Sequence, residues 1–169
     1  MPDKALDVYL NDHLAGALLG SQLAGQIRDQ SEGSSLGDVM APIAREIDAD
    51  RQTLTDLVEQ LGTSRNPVKE VTGWLAAKVS RAKFAGATSG DPDFGLFMAL
   101  ETLTLGVEGK LSLWRALKEI AGEHAPLAAA DLDGLVARAQ SQHQVLERER
   151  VAAGRRALGQ AGASSAGAP

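Results

Sequence analysis

The stretch FGLFMALETLTLGVEGKLSLWRALKEIA, Phe94–Ala121, decides the fold. At about 100° per residue, Leu96, Leu100, Leu103, Val107, Leu111 and Trp114 fall on one helical face. In its first half Phe94, Phe97, Met98 and Leu105 cover the opposite face as well. A helix that is apolar all round is surrounded by protein. Glu101 and Glu108 lie on this helix and are therefore expected at least partly inside. Further along, Ser112, Arg115 and Glu119 continue their stripe, and there the face reads as solvated.

Working outward, the same periodicity recurs on both sides. A first helix is expected over about Lys4 to Gln30, capped by Asp3, with Leu6, Leu10, His13, Ala17, Gly20, Ala24 and Ile27 inward. The spacings alternate four and three, as in a bundle helix. Gly16, Gly20 and Gly25 are small enough to admit a neighbour closely. The short polar loop QSEGSS makes the next helix an antiparallel neighbour. That second helix is expected from Leu36 to Leu61, with Ser35 as N-cap and Asp38 in the capping-box position. Leu36, Met40, Ile43, Ile47, Asp50, Leu54, Leu57 and Leu61 form its stripe, and Pro42 inside it predicts a kink or a tight first turn.

Asn66-Pro67 starts a shorter, basic helix to about Phe84, with Val68, Val71, Leu75 and Val79 as its stripe and Trp74 beside it. Asp91-Pro92 repeats the signal and opens the helix containing the decisive stretch, which stops near Gly122. Pro126 opens a last helix to about Leu158, with Leu132, Val136, Ala139, His143 and Leu146 inward. The segment 159–169 is a low-complexity tail, expected to be disordered, after a single domain over 1–158. The fold class is thus all-α, with four long helices and an extra helix between the second and third. Each long helix spans about 40 Å, and the middle one about 27 Å, enough to carry the chain back along the bundle.

Composition narrows the function classes. The chain is 44% apolar but 4% aromatic, has no cysteine, and carries a net charge of −5. Absent cysteine excludes disulfides, thiolate metal sites and thiol nucleophiles. The acidic balance argues against a nucleic-acid surface, and no run of about 18 apolar residues reads as a membrane span. A cytoplasmic location is the expectation. Gly106-Val107-Glu108-Gly109 lies mid-helix without a preceding strand and is not a phosphate loop. Ser, His and Asp occur without a nucleophile elbow, so a non-enzyme is the favoured reading.

The unusual feature is a titratable residue on or beside each inner stripe: His13, then Asp50 with Glu46, then Glu101 and Glu108, then His143 with Gln140 and Glu147. Burying such groups unpaired costs several kcal/mol each, on the order of 3–5. By helix rise His13 and Asp50 come nearly level and are expected to form a buried pair. Glu101 is expected to meet His143 or Glu147. If the middle helix crosses over, the second and third long helices run parallel, and Glu46, Glu108 and Gln140 meet near the middle. His13 and Asp50 then lie about 18 Å axially from His143. If the chain simply goes up and down, His13, Asp50 and His143 come level.

The two long hairpins and the crossover-length segment between them, over Lys4 to Leu158, resemble the ferritin-like bundle. That resemblance implies iron or manganese binding, oxidase activity or a stress-related role. On matching positions it points to Glu46, Glu108, and Gln140 or His143. With Glu101 these make a candidate ligand set of Glu46, Glu101, Glu108 and His143, with Gln140 and Glu147 as outer partners. The paired Glu-x-x-His motifs of di-iron bundles are missing. The favoured expectation is a ferritin-like bundle without a complete di-metal site and with no cofactor. It is expected to act through protein contacts, a homodimer among them, with the small residues of the first helix and the basic face of the middle one as candidate surfaces. An atypical iron or manganese carboxylate protein is the alternative. A carrier for a small apolar ligand, near Met98 and Leu105, is a third.

Overall fold

The computed structural model describes residues 4–63 and 90–159. The middle helix expected over 67–84, with its basic face, the Asp3 cap and the tail 160–169 lie outside the described residues. Among the described residues there is no strand. Helix α1 spans Lys4–Gln30, α2 Ser35–Gln60, α3 Pro92–Glu119, α4 Ala125–Ala129 and α5 Leu132–Gly159, with a short 3-10 turn at Ala121–Glu123. None of these helices is long and apolar enough to cross a membrane.

The helix ends follow local chemistry. Ser34, not Ser35, caps α2: its Oγ accepts from Gly37 N at 3.2 Å and donates to Ser31 O at 2.6 Å. Pro42 sits inside α2 on its exposed side, and the helix is continuous through it. At the other end Gly62, with φ of 67°, closes a Schellman motif. Gly62 N donates to Glu59 O, and Thr63 N to Val58 O. Asp91 caps α3 by accepting from Asp93 N at 2.9 Å, with Pro92 in the first turn.

The expected last helix differs from the observed one. Pro126 opens only the short α4, and Asp131 restarts the chain as α5. Asp131 Oδ1 accepts from Gly134 N at 2.9 Å, and a Cβ on Gly134 would stand 2.2 Å from that carboxylate. A strong N-terminal cap followed by a glycine that lets it fold over the helix end outweighs helix propensity across 126–131.

The core divides into two apolar clusters. One joins the end of α1 (Leu23, Ile27), the start of α2 (Met40, Ile43), the start of α3 (Phe97, Leu100) and the end of α5 (Leu146, Ala153). The other joins Leu10, Leu54, Leu57, Trp114, Leu117, Leu132 and Leu135 with Leu127 of α4. These groupings fix directions. The starts of α2 and α3 lie at the same end, so those two helices run parallel. Helix α1 packs against α2 and α3, and α5 against α3 and, sparsely, α2. Among the four long helices the closely packed neighbours are antiparallel, and the parallel pairs lack close backbone packing.

Small residues play different parts in different places. A Cβ on Gly37 would stand 2.2 Å from Ser31 O, and one on Gly154 would stand 3.1 Å from the Phe97 ring. On Gly20, Gly106 or Gly109 it would meet nothing within 4 Å. The expected close approach at Gly20 is therefore absent, and at Gly25 only the Arg28 side chain comes within reach, at 4.0 Å. Gly106→Ala should accordingly stabilise the fold by about 1 kcal/mol through helix propensity. Gly37→Ala should destabilise it. Urea unfolding of the two variants checks both signs, and equal effects would contradict the packing described.

Candidate functional site

Between the two apolar clusters lies a polar layer. On α2, Asp50 falls between Ile47 and Leu54 on the buried stripe and is 1% exposed. On α3, Lys110 falls between Val107 and Trp114. On α5, Gln142 falls between Ala139 and Leu146 and is fully buried. Arg138, one turn before Gln142, reaches the same point from a half-exposed position.

Asp50 is the centre of the layer. Its Oδ2 accepts from Lys110 Nζ at 2.5 Å and from Gln142 Nε2 at 3.4 Å. Its Oδ1 accepts from Arg138 Nε at 2.8 Å and also from the second guanidinium nitrogen, Nη2. Gln142 accepts in turn from Lys110 Nζ at 2.5 Å and donates to Glu46 Oε2 at 3.0 Å. Two cations and two carboxylates thus meet across α2, α3 and α5, with the amide of Gln142 linking them. Burial pulls the Lys110 ammonium below its usual pKa, and the attraction of Asp50 partly offsets this.

The sequence-derived candidates are distributed differently from expectation. Asp50 and Glu46 belong to this layer. His13 does not pair with Asp50. Its ring stands edge-on to Tyr9 at a centroid distance of 4.6 Å, and burial lowers its pKa against the opposing effect of Asp12. Asp50 has instead found two permanent or near-permanent cations, which compensate a buried charge better than a neutral imidazole does. Glu101 is met by Arg150 at 3.4 Å, and Arg150 also holds Glu147 at 2.7 Å. Glu108 is exposed, and its carboxylate lies 3.6 Å from His143 Nε2. Gln140 is exposed on the outer face of α5. The set Glu46, Glu101, Glu108 and His143 is therefore divided among three separate contacts. Among the described residues, no group of three or more His, Cys, Asp or Glu side chains is arranged to hold a metal ion.

The axial offset between the two hairpins is smaller than expected. Helices α2 and α3 do run parallel, yet Asp50 touches Gln142, the residue before His143. Residues 126–131 form α4 and a cap and add no rise to α5, which removes about 9 Å from the expected offset.

Lys110, Arg138 and Gln142 were not legible as site residues from the wider apolar stripes. A stricter alternation of three and four finds two of them. Leu100, Leu103, Val107, Lys110, Trp114, Leu117 on α3 and Leu132, Leu135, Ala139, Gln142, Leu146 on α5 are seams of that kind.

A cavity of about 250 Å³ lies beside the layer, between α1, α2 and α3. His13, Asp50 and Lys110 contribute to its wall, together with Trp114, Leu103 and Leu113. His13 and Asp50 thus share a space without touching.

Two outcomes follow. Asp50→Ala strands Lys110 in the core and should lower stability by about 3–5 kcal/mol in urea unfolding. The Asp50→Leu, Lys110→Met double variant should recover much of that loss. His13 has a folded pKa below its usual 6.5, so its contribution to stability is complete above that value. The contribution is lost as pH falls through the lowered folded pKa, because the unfolded chain takes the proton first. Thermal midpoints measured from about pH 7 down to about 5 should fall more steeply in the wild type than in His13→Gln. Among known proteins, no family model, curated protein or solved structure matches this chain.

Proposed function

We propose that this chain is a ferritin-like helical bundle that acts through protein–protein contacts and holds no di-metal centre. The observation that carries this reading is the occupation of the bundle's middle level by Lys110 and Arg138. Both donate to Asp50, the most buried carboxylate near the position where such a centre would sit. A di-metal site needs several carboxylates with free lone pairs facing one point. Here the buried carboxylate has spent its acceptors on protein cations, and two further positive charges at the same place would be repelled.

The ferritin-like part of the reading is supported by topology. Two antiparallel hairpins are joined so that α2 and α3 run parallel without close backbone packing on one another. A chain with short turns throughout would place them antiparallel. The bundle is assigned a homodimeric, cytoplasmic role without a catalytic step. Its outer surface offers Val8 and Leu18 of α1 as exposed apolar residues, 56% and 48% exposed.

The alternative metal reading has one geometric support, the proximity of Glu108 to His143 at 3.6 Å. These two groups face solvent on the rim of α3 and α5, and one carboxylate and one imidazole make an incomplete shell for iron or manganese. Elemental analysis of protein purified after growth with added iron and manganese separates the two. The expected result is metal far below one equivalent, unchanged in Glu108→Ala. A stoichiometric metal that disappears in Glu108→Ala would overturn the proposal. Light scattering after size exclusion should return the mass of two chains, and a monomer at working concentration would remove the dimer from it.

A further inference from the structure

We infer that the outer face of α5, from Arg148 to Leu158, is a docking surface for an acidic amphipathic helix of another protein. The inference rests on the reading of a bundle that acts through protein contacts, and needs neither its ferritin-like topology nor its dimer.

Periodicity defines the face. Helix α5 turns Leu132, Leu135, Ala139, Gln142, Leu146 and Ala153 inward. Its opposite side repeats the alternation of three and four with Ser141, Gln144, Arg148, Val151, Arg155 and Leu158, all of them exposed. A seam of this spacing is the one a second helix packs along at a shallow angle. Its first part is small or uncharged. Its second part alternates two arginines with Val151 and Leu158, which are 42% and 59% exposed. Among the described residues, α5 meets α3 and, sparsely, α2, both from the inner side.

The arginines on this seam differ from those beside it. Arg150 holds Glu147 at 2.7 Å, and Arg156 lies 3.6 Å from Asp93. Arg148 and Arg155 have no hydrogen bond or ion pair with another described residue. They stand two turns apart, about 10 Å along the axis. Val151 and Ala152 line a shallow recess between them. The attraction of a helix C-terminus for cations acts within the last turn. It accounts for Arg156, and not for Arg148, which is roughly three turns from the end. Arginine is enriched in protein interfaces, where its planar fork holds a carboxylate through two hydrogen bonds.

Charge decides the occupant. A second copy packed parallel along this seam would set each arginine against its own counterpart. One packed antiparallel and centred on the recess would bring Arg148 beside Arg155. Such like-charge contacts oppose association. The segment 64–89 carries Arg65, Lys69, Lys78, Arg81 and Lys83 against Glu70 alone, and 160–169 has no ionisable side chain, so neither complements the seam. A nucleic acid or an anionic bilayer is an extended polyanion and would also cover Glu147 and Glu149 on the flanks. A single helix, about 10 Å across, meets the seam alone. The complement is therefore a helix with carboxylates two turns apart and an aliphatic side chain between them, docked helix against helix.

The probe is a fluorescein-labelled synthetic helix of three Glu-Ala-Ala-Leu-Ala-Ala-Ala repeats, titrated with the full chain and followed by anisotropy. Binding should saturate. Glutamine in place of its glutamates should weaken binding at least about tenfold. Arg148→Glu and Arg155→Glu should each weaken it about tenfold. Their circular dichroism and urea midpoints should stay close to wild type, because both side chains are exposed. Arg115→Glu, at an exposed site on α3, should leave binding unchanged. The Arg148→Glu, Arg155→Glu double variant should bind the peptide with lysine in place of glutamate, a rescue that loss of structure would not give.

The inference is overturned if the glutamate peptide does not saturate, or if the glutamine peptide binds as tightly. It is equally overturned if Arg115→Glu weakens binding as much as the seam variants do, or if phosphatidylserine vesicles or duplex DNA displace the peptide. Light scattering on the same samples keeps the two readings apart. A monomer that binds the peptide removes the dimer and leaves this inference standing. A dimer that ignores the peptide removes this inference alone.

Discussion

A carboxylate removed from water must be compensated where it stands, and Asp50 imposes that condition on three helices at once. Its side chain is fully buried, and the groups that meet it come from α3 and α5. The geometry of these bonds ties the axial position of α2 to those of α3 and α5. Apolar residues tolerate a slide along a helix axis better than a charge-assisted hydrogen bond does, because the latter is short and directional. The polar layer thus works as a register device between two aliphatic clusters that would otherwise accept several offsets. Removing one member costs more than the pair contributes, since the remaining charge stays buried.

The same layer explains how α2 and α5 are held. Their backbones approach sparsely, and the gap is spanned by long side chains: Arg138 to Asp50, and Gln142 to Asp50 and Glu46. The closely packed interfaces are α3 with α5, joined through the 3-10 turn and α4, and α1 with α2, joined through residues 31–34. Two tight hairpins are thus joined along one side by polar bridges and along the other by the α1–α3 contact. The second of these joins is the one that glycines line from both helices, and a cavity opens there.

Charge placement separates the rim of the bundle from its middle. Glu101, Glu147, Arg150, Glu108 and His143 form pairs on the outer edges of α3 and α5. Arg150 holds the Glu147 carboxyl below its ordinary pKa. Such exposed pairs contribute little to stability. The middle layer differs in burial, not in residue type. Acids and bases of the same kinds stand in both places, and only their depth decides which are structurally costly.

The limits of α1, the starts of α2 and α3, and the buried seam of α2 were determined by the sequence. The alternation of Met40, Ile43, Ile47, Asp50, Leu54 and Leu57 admits one inward face, and Asp50 on it had to be buried. Proline and cap residues fixed the starts of α2 and α3 within a residue or so, because those signals act on the adjacent backbone alone. Which groups met Asp50 was decided by tertiary structure. His13 was a reasonable partner by rise along one hairpin, but the cations came from the other hairpin, whose offset depended on Asp131 breaking the last helix. Sequence separation carries no information about that offset, since it arises from packing between segments distant in the chain. The cavity has the same origin. Glycines on α1 and α3 are visible in the sequence as small residues, but whether small means a tight contact or an open space depends on how far apart the two helices settle.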